Sequence, residues 1–438
     1  MIRLPKTATA PFCPSEVRGT VEISATASRW TKITRFAGPG LLVSVGYMDP
    51  GNWATDIAAG SQYGYDLLFV VVFSSLAAIM LQWMAMRLGI ATGLDLAQLS
   101  RQQSRPIVCR MQWFLAELSI VACDLAEVLG GALAFHMLLG VSLLAGVALT
   151  SLDTLIVLGL KGQKFRELEA VVFALIATIG GCFLVQLWLI EPIWPEVARG
   201  MIPDWRALAD REPLYLAIGM LGATVMPHNL YLHSSIVQTR LIGQGEPAKR
   251  EAIKFLGIDT VVSLSLAMAV NAAILILAAA AFHAHGFQAV AEIEDAYHLL
   301  DPIVGTSLAG GLFAVALLAS GQNSTFTGTV AGQVILEGFL EIKIPCWQRR
   351  LITRSLALIP AFVGVAWLGD GSVGKLLILS QVVLSLQLPF ALYPLTVFTG
   401  DRRIMGGLVN SLPVAILAWA LFALITAANV VLLVQLAA

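Results

Sequence analysis

Eleven apolar stretches, each long enough to cross a bilayer as one helix, dictate what this 438-residue chain can fold into. They run at about 38–61, 66–93, 112–139, 141–160, 167–190, 213–239, 254–282, 305–337, 351–368, 373–399 and 408–436. A transmembrane helix needs roughly 20 mostly apolar residues, and only a helix or a closed barrel satisfies every backbone amide in lipid. The chain is 58% hydrophobic and 13% charged, with mean hydropathy +0.81; a soluble domain carries roughly 25% charged residues. So little polar surface cannot cover a water-facing globule. The pattern predicts an all-α integral membrane protein of eleven transmembrane helices. A cytoplasmic, mobile tail (1–35) precedes a single membrane domain (36–438).

The basic residues set the orientation. With the N-terminus in the cytoplasm and the spans alternating, 22 of the 27 Lys and Arg residues fall in cytoplasmic segments, including Lys161, Lys164, Lys343, Arg349 and Arg350. Four fall outside, and Arg87 lies near the end of the second span. This is the positive-inside bias, and it puts the C-terminus outside. A net charge of −1 leaves no electrostatic footprint for nucleic acid. Five scattered Cys argue against a zinc site or a disulfide scaffold, and no signal peptide precedes the first span. Neither HExxH nor GxSxG occurs, so hydrolase chemistry has no support. Gly369–Gly374 fits GxGxxG, but it follows no strand and lies in an outer loop.

Two spans are interrupted at matching places. The first reads Asp49-Pro50-Gly51-Asn52 and the sixth Met226-Pro227-His228-Asn229, each with Pro-x-Asn in mid-span. Proline removes a backbone donor and clashes with the preceding turn, and Gly51 frees the chain to unwind. One reading is a pair of kinked helices. The other is a five-helix inverted repeat, about 38–190 and 213–400 with span 11 (408–436) outside it. Broken helices in corresponding places of two halves point to a transporter's binding site.

The chemistry gathers at the interruptions. A carboxylate at Asp49 is costly in mid-membrane and is a functional hypothesis by default. Unwinding at Pro50 frees carbonyls to join Asp49 and Asn52 as hard oxygen ligands, and Pro227 leaves the Ala223 carbonyl without its donor. The Met226 thioether is soft, which suits a transition metal over Mg²⁺ or Ca²⁺; alone, such a methionine is core filler. Glu117, Asp124 and Glu127 form one stripe along span 3, with Arg349, Arg350 and Arg354 as candidate partners. With His228, that stripe is either a proton route toward the cytoplasm or a static ion-pair network. His233, one turn on, is either a further proton group or a satisfied polar residue. Gln381 is either a hydrogen-bonding bundle residue or a ligand added when the site closes; Gln322, Asn323 and Asn271 share that ambiguity.

These residues resemble the Nramp (natural resistance-associated macrophage protein) family of proton-linked divalent metal transporters. The resemblance rests on Asp49-Pro50-Gly51-Asn52, on Met226-Pro227-His228-Asn229 continuing to Leu232-His233-Ser234, on Asp124-Leu125-Ala126-Glu127, on Arg349-Arg350 and on Ser380-Gln381. It implies a LeuT-like 5+5 inverted repeat with helices 1 and 6 broken at mid-membrane. It implies metal ligands from Asp49, Asn52, Met226 and the Ala223 carbonyl, with Gln381 joining in some states. It also implies a proton route using Asp49, His228, Asp124 and Glu127. The expected cargo is Mn²⁺ or Fe²⁺, extending to Cd²⁺, Co²⁺ and Zn²⁺, with H⁺ as co-substrate. No permanently bound cofactor and no obligatory protein partner are expected beyond the lipid bilayer, which eleven spans and short loops suggest is a bacterial inner membrane. The alternative is a same-fold transporter of amino acids or organic cations, whose sites carry small residues at the break.

Overall fold

The computed structural model describes residues 18–24, 26–152, 165–288, 290, 292–306, 308–342, 344 and 346–437. Part of the stretch 141–160, Lys161, Lys164, Lys343 and the Arg350 side chain lie outside the described residues. The long helices are α4 (Leu68–Thr92), α6 (Pro106–Leu139), α8 (Phe165–Ile190), α12 (Glu246–Ala281), α14 (Leu308–Leu340), α15 (Cys346–Leu368), α16 (Val373–Gly400) and α18 (Leu412–Ala437). Among the described residues, six segments are long and apolar enough to cross a membrane: Leu68–Thr92, Pro106–Leu139, Arg166–Ile190, Glu246–His285, Val373–Gly400 and Leu412–Gln435. Side chains such as Phe114, Leu184, Trp188, Ile359 and Trp367 stay exposed on these helices, as lipid-facing residues do.

Two pairs of shorter helices behave differently. α2 (Pro39–Ser44) passes through a 3₁₀ turn (Gly46–Met48) and an extended residue, Asp49, before α3 (Pro50–Tyr63) begins. α10 (Arg211–Val225) ends at Met226, and α11 (Pro227–Ile236) starts at the next residue. Pro50 and Pro227 each occupy the first helical position, where a missing N–H costs nothing. A helix of 14 residues, like α3, is about 21 Å long, short of a hydrocarbon core of about 30 Å.

The shorter pairs sit inside the bundle. α12 packs along α3 and α4, α14 along α6 and α8, and α16 along α10 and α6. Trp53 of α3 is fully buried, with Phe183 of α8 and Phe313 of α14 against its ring at 4.9 and 5.1 Å. Every residue of α11 is buried.

The N-terminal segment is not the mobile tail its composition suggests, at least from residue 18. Strand β1 (Val21–Glu22) pairs in parallel with β2 (Arg240–Leu241), and α1 (Arg29–Phe36) stacks Phe36 on Phe255 of α12 at 5.5 Å. Lys32 pairs with Glu251 at 2.7 Å. Below them Arg240 donates to Glu169 at 2.8 Å and to the Ala37 carbonyl at 2.5 Å, and Glu169 also receives Arg166 at 2.9 Å. Asp259 accepts the Gly40 amide at 2.7 Å. Apart from the local Arg166–Glu169 pair, these contacts join residues 71 to 219 apart in sequence, which local pattern does not reveal.

Candidate functional site

The two interruptions face each other. Asp49 caps α3, its Oδ1 accepting the Asn52 amide at 2.8 Å, while Oδ2 has no hydrogen-bond partner. Asn52 Oδ1 is likewise buried without a donor. Ser320 of α14 donates to the Met48 carbonyl and fixes the turn from behind. On the other strand of the crossing, Met226 holds φ 35 and ψ 103, a left-handed conformation worth roughly 1–3 kcal/mol of strain in a residue with a side chain. Its amide reaches Gly222 at 3.3 Å, and the Ala223 carbonyl faces Pro227, which has no N–H to give it.

Side chains from four helices close in. Met226 packs with Ala122 of α6 and Leu384 of α16, and Asn229 Nδ2 approaches its sulfur at 3.5 Å. Both Asn229 and Met226 lie over Gly46, so close that a Cβ there would sit 2.3 Å from Asn229 Nδ2 and 3.1 Å from the sulfur. Gln381 of α16 fills the other side, its amide against Gly51 and its carbonyl against Gly222. The Gln381 Oε1 and Asn229 Oδ1 atoms are also buried without donors. Buried acceptor oxygens without a donor from the protein, beside a thioether, suit a cation. Asp49, Asn52, Ala223, Met226 and Gln381 therefore meet at one crossing. Among the described residues no group of three or more His, Cys, Asp or Glu has metal-site geometry, so any ion there relies on amide, carbonyl and thioether donors besides Asp49.

A second polar tract lies behind it. Glu127 is fully buried and takes Thr325 at 3.3 Å, Cys123 at 3.8 Å and Arg354 at 3.7 Å. Glu117 is bonded to Arg349. His228 is buried with Nδ1 unpartnered, and Asp124 is its charged neighbour. Asp124 is also the charged neighbour of Glu117, and with Glu127 it lies against Gly328 of α14. His233 stands apart: its Nδ1 bonds Gln82 Oε1 at 3.0 Å, and Gln82 Nε2 reaches the Tyr47 hydroxyl at 2.9 Å. Asn323 is buried with both amide atoms unpartnered, and Asn271 is buried too.

Asp56 is the residue the sequence reading missed. It is buried at 3% exposure, Oδ2 has no partner, and its charged neighbour is Asp49. It lies seven residues beyond Asp49 on α3, and a second carboxylate inside the apolar stretch 38–61 was the available signal.

Paired helix interruptions around buried oxygen and sulfur donors, in a bundle whose described residues include six bilayer-length apolar segments, are the features of an integral membrane protein. A model of the family described as natural resistance-associated macrophage protein-like matches residues 40–435, and the chain belongs to that family. It is 68% identical to the divalent metal cation transporter MntH of Ralstonia nicotianae, over 99% of this chain and 98% of that one. It is 67% identical to MntH 1 of Pseudomonas aeruginosa, also a divalent metal cation transporter, over 98% of both chains. The crystal structure of a variant of the Eremococcus coleocola manganese transporter superposes with TM-score 0.88 at 40% identity, covering 95% of this chain and 90% of that one. Mhp1, a nucleobase-cation-symport-1 transporter, shares the fold at TM-score 0.60 and 16% identity, over 90% of this chain and 81% of that one.

Proposed function

We propose that this chain is a secondary transporter that carries divalent transition-metal ions, Mn²⁺ or Fe²⁺ first and Cd²⁺, Co²⁺ and Zn²⁺ with them, into the cell together with protons. The observation that carries the reading is the crossing of the two interruptions, with Asp49 and Met226 buried on facing segments. Asp49, Asn52, Gln381 and the Ala223 carbonyl offer hard oxygens, and Met226 adds the soft donor that Mg²⁺ and Ca²⁺ do not seek. The kinship to divalent metal cation transporters supports this cargo. The amino-acid alternative loses ground at Asp49, a carboxylate where a substrate carboxylate would have to sit.

In the membrane, α2 with α3 and α10 with α11 each make one broken span, and the chain crosses eleven times. Residues 38–190 and 213–400 form inverted repeats within one transport domain, and α18 stands outside them. Rocking of the repeats exposes the crossing to either side in turn. Protons released as metal binds Asp49 pass to His228, Asp124 and Glu127, with Glu117, Arg349 and Arg350 at the far end. His233 enters only as the polar link between α11 and α4. The N-terminus faces the cytoplasm of a bacterial inner membrane and the C-terminus faces outside, as the basic residues require.

The test is uptake into liposomes holding the purified chain and a pH-sensitive dye. Wild type takes up Mn²⁺ with acidification of the lumen and leaves Mg²⁺ outside, and Asp49→Ala falls to background. Mn²⁺ uptake by Asp49→Ala at the wild-type rate would sink the site. Uptake with no pH change would sink the proton coupling alone.

A further inference from the structure

A cavity of 660 Å³ opens where the C-terminal end of α4 meets the N-terminal half of α12 and the linker between α17 (Arg402–Met405) and α18. Three cations line it: Arg87, Arg250 and Lys254. Arg87 is the unusual one. It is buried at 7% exposure, and among the described residues its hydrogen-bond and ring partners are all neutral. Its guanidinium lies 4.2 Å over the Trp83 ring and donates to Asn410 Oδ1 at 2.9 Å and to the Leu408 carbonyl. Arg250 donates to the adjacent carbonyl, Gly407, at 2.9 Å, so two guanidinium groups sit on neighbouring peptides. Glu246 occupies one side of Arg250 at the exposed rim. Among the described residues no carboxylate pairs with Arg87 or Lys254. A buried cation whose charged neighbour at the cavity is another cation is costly unless an anion joins it.

The wall of the same cavity is apolar and faces outward. Ile258, Val261 and Val262 of α12 line it and are 42%, 46% and 54% exposed. Leu266 continues the strip one turn along at 49%. A free anion has no use for that strip, whereas an acyl chain lies along it. Basic pockets between helices on the cytoplasmic side suit anionic headgroups.

We infer that this cavity binds one anionic phospholipid, its phosphate held by Arg87, Arg250 and Lys254 and an acyl chain laid along Ile258 and Val262. A zwitterionic lipid brings a phosphate too, but its ammonium would face the same three cations. The bound lipid joins α4 and α12, the latter packed along α3, to the linker leading into α18, and so braces the bundle at one end. The inference rests on the proposed reading that these helix ends lie at the cytoplasmic surface. The binding measurement uses no metal, so failure of metal uptake and failure of lipid binding are separate results.

Native mass spectrometry of the delipidated full chain, titrated with phosphatidylglycerol or phosphatidylcholine, decides it. The double variant Arg250→Gln/Lys254→Gln changes two exposed side chains, and Lys254→Gln alone is the gentler second variant. Arg206→Gln, in an exposed segment at the other end, is the control. The expected result is one tightly held phosphatidylglycerol, weakened about 30-fold in the double variant and unchanged in the control, from the loss of two cations near a headgroup. Equal retention by wild type and double variant, or equal retention of phosphatidylcholine, overturns the inference. Displacement of the lipid by millimolar inorganic phosphate overturns it as well, because the cavity would then be a free-anion site.

Discussion

The amide of Gln381 lies directly against the Cα of Gly51, so that a methyl group there would sit 1.8 Å from its nitrogen. On the far side of the same residue, a methyl group at Gly222 would sit 2.1 Å from the Gln381 carbonyl oxygen. One residue of α16 therefore holds the two interruptions together, and only glycine on either side allows the approach. The two glycines are not equivalent. Gly51 faces the movable end of a side chain, whereas Gly222 faces backbone.

Gly51→Ala is expected to displace the Gln381 amide and lower Mn²⁺ uptake, and Gly222→Ala to push α16 away and lower it further. Misplacing a working group by about 1 Å can cost roughly 100-fold in rate. The cycle with Gln381→Ala separates clash from chemistry. If Gln381 serves the ion, Gly51→Ala/Gln381→Ala transports no better than Gln381→Ala. Recovery to the wild-type rate in the double variant would make Gln381 a space-filler.

Met226→Ala removes the thioether and keeps the backbone in place. Mn²⁺ uptake is expected to fall by about ten-fold or more, the scale on which even outer supports of a metal site matter. Mg²⁺ is expected to enter where it did not, since the remaining donors are oxygens. Uptake of both ions in liposomes reads this directly. An unchanged Mn²⁺ to Mg²⁺ ratio would assign Met226 to packing against Ala122 and Leu384.

Much of this site is legible in the sequence because proline and a mid-span carboxylate are local signals. Pro50 and Pro227 announce their own interruptions, and Asp49 is conspicuous in an apolar stretch. What is not legible depends on residues far apart in sequence. Nothing in the spacing pairs Gln82 with His233, 151 residues away, or lays Gln381 against Gly51. The two-residue strands β1 and β2 have no periodicity to detect, and the polar composition of the first 35 residues reads as solvated until Lys32 is seen paired with Glu251. Asp56 was visible but lacked a motif to single it out.

The Arg240–Glu169 pair is buried, with side chains 0% and 5% exposed. It ties β2, which follows α11, to α8 and, through Ala37, to the entry of α2. Losing one partner of a buried pair costs up to roughly 3–5 kcal/mol; without Arg240, Glu169 keeps Arg166 alone and the Ala37 carbonyl loses the Arg240 donor. Arg240→Gln is therefore expected to loosen the entry to α2. In a cysteine-free background with Ser44→Cys, cytoplasmic thiol labelling is expected to speed up when Arg240→Gln is added, and Glu169→Gln is expected to add little to Arg240→Gln. Labelling at the parent rate would mean that the pair does not hold the entry to α2.

Asp95 gives a pH test outside the membrane spans. It caps α5 (Leu96–Gln103), accepting the Gln98 amide at 2.8 Å, and Gln98 Oε1 returns a bond from the Asp95 amide at 3.1 Å. Burial pushes its carboxyl up from 3.8 to about 7, against the opposing pull of the Gln98 bond and Arg18. A raised carboxyl means the folded chain holds a proton that the unfolded chain has lost between those values. Stability from this group is thus greatest below pH 3.8, falls as pH rises toward 7, and changes no further above it. Asparagine caps a helix as well as aspartate and carries no charge to bury. Between pH 5 and 8 the melting temperature of wild type is expected to fall more than that of Asp95→Asn, the variant being the more stable at pH 8. Parallel melting profiles across that range would mean that Asp95 is ionised in the folded chain throughout, held by Arg18 and the helix N-terminus against its burial.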